Sequence, residues 1–197
     1  MSQPPRPAES PSHPMALDRA RSALVIVDVQ ERLFPVMDAD HREEVVHHIK
    51  LLATAAGRLG IPIVLTEQYP KGLGHTLQEL RETLGAGVEP IEKVSFSCCG
   101  VEPFVARLGA TGARQVVLAG IEAHVCVLLS ALDLLAQGYA VHVAADAVTS
   151  RTQGNWRLAM EQLRQAGAVV TPTETVLFQW LRQAGTDDFR ELSRLIR

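Results

Sequence analysis

The run Ser22-Ala-Leu-Val-Ile-Val-Asp-Val29 constrains the fold more than any other stretch of the chain. Its apolar, largely β-branched residues follow one another without polar alternation, the pattern of a strand buried on both faces. Such a strand needs helices above and below its sheet, and the sequence supplies them in turn. The spacing predicts a helix over 39–59, with Asp38 or Asp40 as its cap and Gly60 as its stop. A strand over 61–66, a short helix over 76–84 and a weaker strand over 89–94 follow, then a helix over 101–108 and a strand over 114–119. Gly120 is read as the end of that strand, and a helix then runs to Gln137, with Gly138 as its left-handed cap. A fifth strand over 139–145 ends at Asp146, Ser150 is the expected cap of a helix reaching 166, and a sixth strand spans 168–171. Helices over 173–183 and 187–196 complete the chain. This alternation predicts an α/β fold. The expected form is a three-layer α/β/α sandwich around a central, mainly parallel six-stranded sheet of Rossmann-like type, with right-handed crossovers.

At 197 residues the chain suits one domain, expected over 17–197. Residues 1–16 hold five prolines by position 14 and no apolar segment, so they read as a disordered tail rather than a signal peptide, with Met15 a possible internal start. Net charge is −3 and Lys and Arg are scattered, which gives no reason to expect a nucleic acid or membrane partner. No apolar run approaches the roughly 20 residues of a membrane span. The three cysteines, Cys98, Cys99 and Cys126, form neither a disulfide framework nor a zinc spacing and suit a reducing, cytoplasmic setting.

Parallel sheets bind ligands beyond the carboxyl ends of their strands. Three chemically capable residues fall at that edge. Asp28 closes the first strand, Lys93 lies near the end of the third, and Cys126 opens the helix after the fourth. A helix start favours a thiolate. Asp28 can accept the thiol proton, and Lys93 can hold Asp28 ionised, which makes a consistent set of base, organiser and nucleophile. Spacing alone leaves a plain reading equally open, with Cys126 a packed small hydrophobe and Asp28–Lys93 a structural ion pair. No phosphate-binding glycine fingerprint follows the first strand, so no nucleotide cofactor is expected. His41, His47 and His48 have no acid or cysteine at ligand spacing and read as surface residues.

Three motifs in order, Leu24-Val-Ile-Val-Asp28-Val-Gln30, Glu92-Lys93 and Gly120-Ile-Glu-Ala-His-Val-Cys126, resemble those of the isochorismatase-like cysteine hydrolases. The likeness extends from about residue 20 to 178 and is nearest the isochorismatase domain-containing branch, through Leu65-Thr-Glu-Gln-Tyr-Pro-Lys-Gly-Leu-Gly74. The resemblance implies a triad of Asp28, Lys93 and Cys126. It also implies a cis peptide before Glu122 and an oxyanion hole made by the backbone N–H groups of Glu122 and Cys126. The implied reaction is hydrolysis of a small amide-like C–N bond through a thioester. Cys126 itself tilts the chain away from vinyl-ether chemistry, because isochorismatase usually has no cysteine there. Metal-binding members carry an Asp-x-His pattern where this chain has Thr66-Glu-Gln-Tyr69; Glu67 and His75 alone are a poor site, so no metal and no other cofactor is expected. Gln30, Phe34, Tyr69, Phe96 and Glu122 are the expected substrate wall. Asp146 and Arg151 are expected to organise the loop after the fifth strand. A homo-oligomer is expected from the family habit and from the apolar helix after Cys126. Two rival readings remain: a thiol redox protein using Cys98 or Cys99, and a catalytically silent interaction protein of the same fold.

Overall fold

The structure is a computed structural model that describes residue 13 and residues 15–196. Nearly all of the expected tail, 1–16, lies outside the described residues.

Strand β1 (Ser22–Val27) is buried at all six positions, as its unbroken apolar run requires. It stands at the middle of a six-stranded sheet in the order β3-β2-β1-β4-β5-β6, with β2 (Ile63–Gln68), β3 (Ile91–Lys93), β4 (Gln115–Ile121), β5 (Ala140–Thr149) and β6 (Val169–Thr171). Every pairing is parallel. The chain winds outward from β1 to β3 on one side, then returns to β4 and winds to β6 on the other. The reversal falls between β1 and β4, where a crevice opens at the carboxyl edge of such sheets.

Two apolar cores cover the sheet. Val25, Val27, Val116 and Leu118 face one, shared with Phe104, Leu134 and Met160. Leu24, Ile26, Val117 and Ala119 face the other, shared with Ile49, Leu52, Val176 and Trp180. The helices divide accordingly. α1 (Arg42–Leu59), α3 (Gln78–Leu84), α7 (Thr173–Leu181) and α8 (Asp187–Leu192) lie on one face; α4 (Glu102–Ala110), α5 (Leu128–Ala136) and α6 (Gln153–Gln165) lie on the other. The short α2 (Pro70–Leu73) belongs to the loop after β2.

Several local expectations give way to tertiary contacts. β4 does not stop at Gly120. It continues to Ile121, and Gly120 is required there twice over: its φ is +112°, and a Cβ would stand 2.1 Å from the Val27 carbonyl oxygen. The glycine lets β4 lie against β1 just before the two strands part. α1 starts at Arg42 with no side-chain cap, while Asp38 accepts from the Asp40 N–H and closes the turn before it. β5 runs on to Thr149 with Asp146 inside it. Asp146 does not organise the loop after β5; it accepts from the backbone N–H and the hydroxyl of Thr173 at the start of α7. Thr152, not Ser150, caps α6. His48 is not a plain surface residue either: its Nδ1 is buried without a partner and its Nε2 lies 3.7 Å from Asp146.

Candidate active site

Where β1 ends, Asp28 turns to φ +53°, a left-handed conformation that aspartate tolerates better than most residues. The turn puts its carboxylate inside the sheet edge, with no exposed surface. Thr66, at the end of β2, donates its hydroxyl to Oδ1 at 2.7 Å, and Lys93 donates its ammonium to Oδ2 at 2.7 Å. The Lys93 side chain is equally buried. Its other contacts are Gln68 Oε1 at 2.7 Å and the carbonyls of Ser95 and Phe96 at 3.2 and 3.1 Å. Every direction open to the ammonium therefore has an acceptor, the condition under which a buried charge is tolerated.

Cys126 reaches the same place from β4. After Ile121 the peptide to Glu122 is cis, and 123–127 form a single π-helical turn before α5 begins. Glu122's carbonyl accepts from the N–H groups of Val125 at 3.1 Å and Val127 at 3.2 Å. The thiol is close enough to Asp28 and Lys93 for their charges to act on it, and it keeps 4% of its residue surface exposed. The structure thus brings Asp28, Lys93 and Cys126 together at the topological switch point.

The electrostatics differ from expectation in one respect. A helix start was reason to expect a stabilised thiolate, yet burial, and after it the Asp28 charge, pushes the Cys126 thiol up to about 12. Burial outweighs the backbone dipoles of a single turn. Burial also raises Asp28, against the lowering influence of Lys93, Thr66 and Cys126. Lys93 is pulled down by burial but raised overall by Asp28 and the neighbouring thiols. The resting arrangement is a thiol beside the buried Asp28–Lys93 pair.

The expected substrate wall divides. Gln30 is not part of it: the residue is wholly buried, and its amide is committed to Gln68 N at 2.7 Å, Gln68 O at 3.0 Å and Gly74 O at 2.6 Å. It fixes the strand that carries Gln68 to Lys93. Tyr69 and Phe96 are more than half exposed. Tyr69 joins Pro70, Lys71, Glu92, Val94 and Val101 around a cavity of about 380 Å³ that opens on Lys93, although its lining stops short of Cys126. A cavity of about 440 Å³ lies elsewhere, among His41, Asp146 and Trp156. It reaches none of Asp28, Lys93 and Cys126, whereas the first opens on Lys93. Phe34 packs with Leu33, Met37, Leu73 and Ile121 beside the cis peptide. Glu122 is buried, and its carboxylate is engaged by Arg151.

Glu67 and His75 hold each other, Nδ1 to Oε2 at 3.1 Å, and the other oxygen of Glu67 accepts from the Thr76 N–H and hydroxyl, each at 2.7 Å. Burial raises that carboxyl, but these hydrogen bonds prevail and hold it below its ordinary value. Among the described residues no group of three His, Cys, Asp or Glu is placed to hold a metal ion. Sequence reasoning missed Thr66, Gln68 and Ser130. The first two lie in the carboxyl half of β2, against Asp28 and Lys93. Ser130 accepts the Cys98 N–H at 2.8 Å. Cys98 is packed in the core: its sulfur sits 3.8 Å from Thr66 Oγ1, and burial followed by the Asp28 charge lifts its thiol to about 11.

An acid–ammonium–thiol set at the switch point of a parallel α/β sheet defines a class of site suited to nucleophilic hydrolysis. Comparison with known proteins shows the family. The isochorismatase domain model matches residues 22–175, and the chain belongs to that family of hydrolases. Isochorismatase domain-containing protein 2 of Danio rerio is 41% identical over 89% of this chain and 86% of its own length. The solved structure of the MAR1 ribonuclease of Caenorhabditis elegans is 38% identical with a TM-score of 0.86, covering 92% of each chain. The YcaC product of Escherichia coli, described as an octameric hydrolase of unknown specificity, shares the fold at 23% identity and a TM-score of 0.86, covering 94% of this chain and 92% of its own.

Proposed function

We propose that this chain is a cysteine hydrolase that cleaves the C–N bond of a small amide-like substrate. Cys126 Sγ attacks the substrate carbonyl carbon while its proton passes to Asp28. The backbone N–H groups of Glu122 and Cys126 receive the developing oxyanion. Collapse of the tetrahedral adduct breaks the C–N bond, and Asp28 returns the proton to the leaving nitrogen. Water then attacks the thioester and gives its proton to Asp28, which passes it to the departing Cys126 sulfur as the acid is released. Lys93 keeps Asp28 ionised between steps. No metal or organic cofactor enters these steps.

One observation carries the reading: the Asp28 carboxylate, paired with Lys93 at 2.7 Å, is near enough for its charge to act on the Cys126 thiol. A thiol lifted to about 12 is almost wholly protonated at neutral pH, so attack calls for a base at the sulfur, and Asp28 is that base. The cavity beside Lys93 suits a small molecule. Three free cysteines support a reducing, cytoplasmic setting, and the described residues include no helix long and apolar enough to cross a membrane. A homo-oligomer belongs to the same reading. Val94, Phe96 and Tyr69 are 76, 57 and 54% exposed around the site, an apolar rim suited to a second copy.

The test is a screen of small amides, ureido acids and hydroxamates, with RNA included because of the nematode neighbour's name. Hydrolysis of at least one amide-type compound is expected, with RNA left intact. Cys126→Ala and Cys126→Ser should each lower turnover by about 10³-fold or more. Undiminished turnover in Cys126→Ala contradicts the reading. Peroxide treatment followed by peptide mass spectrometry addresses the redox rival; a reversible Cys126–Cys98 disulfide would favour that rival.

A further inference from the structure

Strand β5 ends beside the nucleophile turn, and the residues after it are committed to that turn. Ile121 pairs in register with Thr149. Beyond that pair, His124 Nδ1 lies 2.9 Å from the Ser150 hydroxyl, and its Nε2 lies 3.4 Å from the Asn155 amide. Arg151 donates Nε to Glu122 Oε2 at 3.0 Å and Nη2 to Oε1 at 3.1 Å. The Glu122 side chain is 8% exposed, whereas that of Arg151 is 59% exposed. A buried carboxylate held by two parallel N–H groups is fixed in direction as well as in charge. Glu122 in turn accepts, through its backbone carbonyl, the Val125 and Val127 N–H groups that bracket Cys126.

We propose that Arg151 is a positioning residue: its two-pronged grip on Glu122 sets the orientation of the turn over 123–127 that presents Cys126 to substrate. The proposal rests on Cys126 as the nucleophile. Arg151 acts through Glu122, and because more than half of its side chain is in water, the pair adds little to global stability. Its effect is local. A lysine keeps the charge at this position but has no planar fork to match both carboxylate oxygens.

The experiment compares the full chain with Arg151→Lys, Arg151→Met and Glu122→Gln by hydrogen–deuterium exchange and by steady-state kinetics on the best substrate of the screen. Exchange over 122–128 should quicken about tenfold or more in both Arg151 variants, while β1 and α1 keep wild-type protection. The kcat should fall about 10- to 100-fold with KM within about twofold, because a slightly misplaced nucleophile costs rate rather than binding. Lysine should not rescue, and Glu122→Gln should move both readouts the same way, which keeps the proposal testable should an Arg151 variant fold poorly. Unchanged exchange over 122–128, rescue by lysine, loss of protection spread through β1 and α1, or a change confined to KM would each overturn the proposal. Exchange needs no turnover. A missing local effect therefore sinks the role of Arg151 and leaves the nucleophile in place, whereas turnover by Cys126→Ala sinks the nucleophile and leaves the exchange result standing.

Discussion

Asp28 at the end of β1 and His142 within β5 are both wholly withdrawn from solvent, but their surroundings treat charge in opposite ways. Around Asp28 the chain gathers Lys93, Thr66 and, through the lysine, Gln68 and two backbone carbonyls. His142 pairs in register with Val117 and Val169, and among the described residues neither ring nitrogen has a hydrogen-bond partner. Burial alone pushes its imidazole down to about 4, so it stays neutral near pH 7. A buried ionisable group either acquires partners or gives up its charge. For Asp28 the fold arranges those partners where β1 and β4 diverge, beside the Cys126 thiol.

That contrast is broken most severely at Asp28. Asp28→Asn removes the base and leaves the Lys93 ammonium buried without its counter-charge. Activity should fall by about 10² to 10⁴, and chemical denaturation should show a loss of about 3–5 kcal/mol. Lys93→Met should destabilise comparably, from the other side of the pair. The double variant, Asp28→Asn with Lys93→Met, should recover much of that stability, since a paired charge can be replaced by neutral groups at little cost. It should recover none of the activity. A double variant as unstable as the sum of the single ones would mean that the pair is not the interaction described.

A smaller effect is expected at His142, and its sign follows from the depressed pKa. The unfolded imidazole binds a proton below about 6.5 and the folded one only near 4. Above the unfolded value the group adds no pH dependence. As pH falls from there towards 4, the unfolded state gains protons first, and stability drains by about 3 kcal/mol in total. His142→Leu should remove that share. Urea midpoints at pH 7.5 and 4.5 should show a smaller fall for the variant; an equal fall would place the acid sensitivity elsewhere. Least is expected at Cys98. Cys98→Ala removes a buried thiol at a cost of about 1 kcal/mol and should leave hydrolysis within about threefold, as read by the same kinetics.

The layers of the fold were legible because they follow from periodicity. The unbroken run of β1 and the alternation of strands and helices gave the parallel sheet and placed Asp28, Lys93 and Cys126 at one edge. Features decided by contacts between distant segments were not legible. Gly120 reads as a strand stop until Val27 is known to lie against it. Asp146 reads as a strand end until Thr173 is seen to donate to it. Gln30 sits beside the triad motif and looks like a pocket residue, but a polar side chain next to a motif can equally be holding its neighbour strand. The protonation of Cys126 was misread for a related reason: the helix start is visible in sequence, while the depth of burial that outweighs it is not. Arg151 was visible as a residue near the site, but its grip on Glu122 joins two loops 29 positions apart.

Under the proposed mechanism the sulfur rests as a thiol and needs Asp28 to lose its proton. Peptide-resolved alkylation of Cys126 by iodoacetamide, followed from pH 6 to pH 11, tests it most directly. The predicted result is a rate still rising at the alkaline end, in keeping with a thiol lifted to about 12. A rate that levels off below about pH 8 would mean that the thiolate is already formed at rest, and the role given to Asp28 would be contradicted.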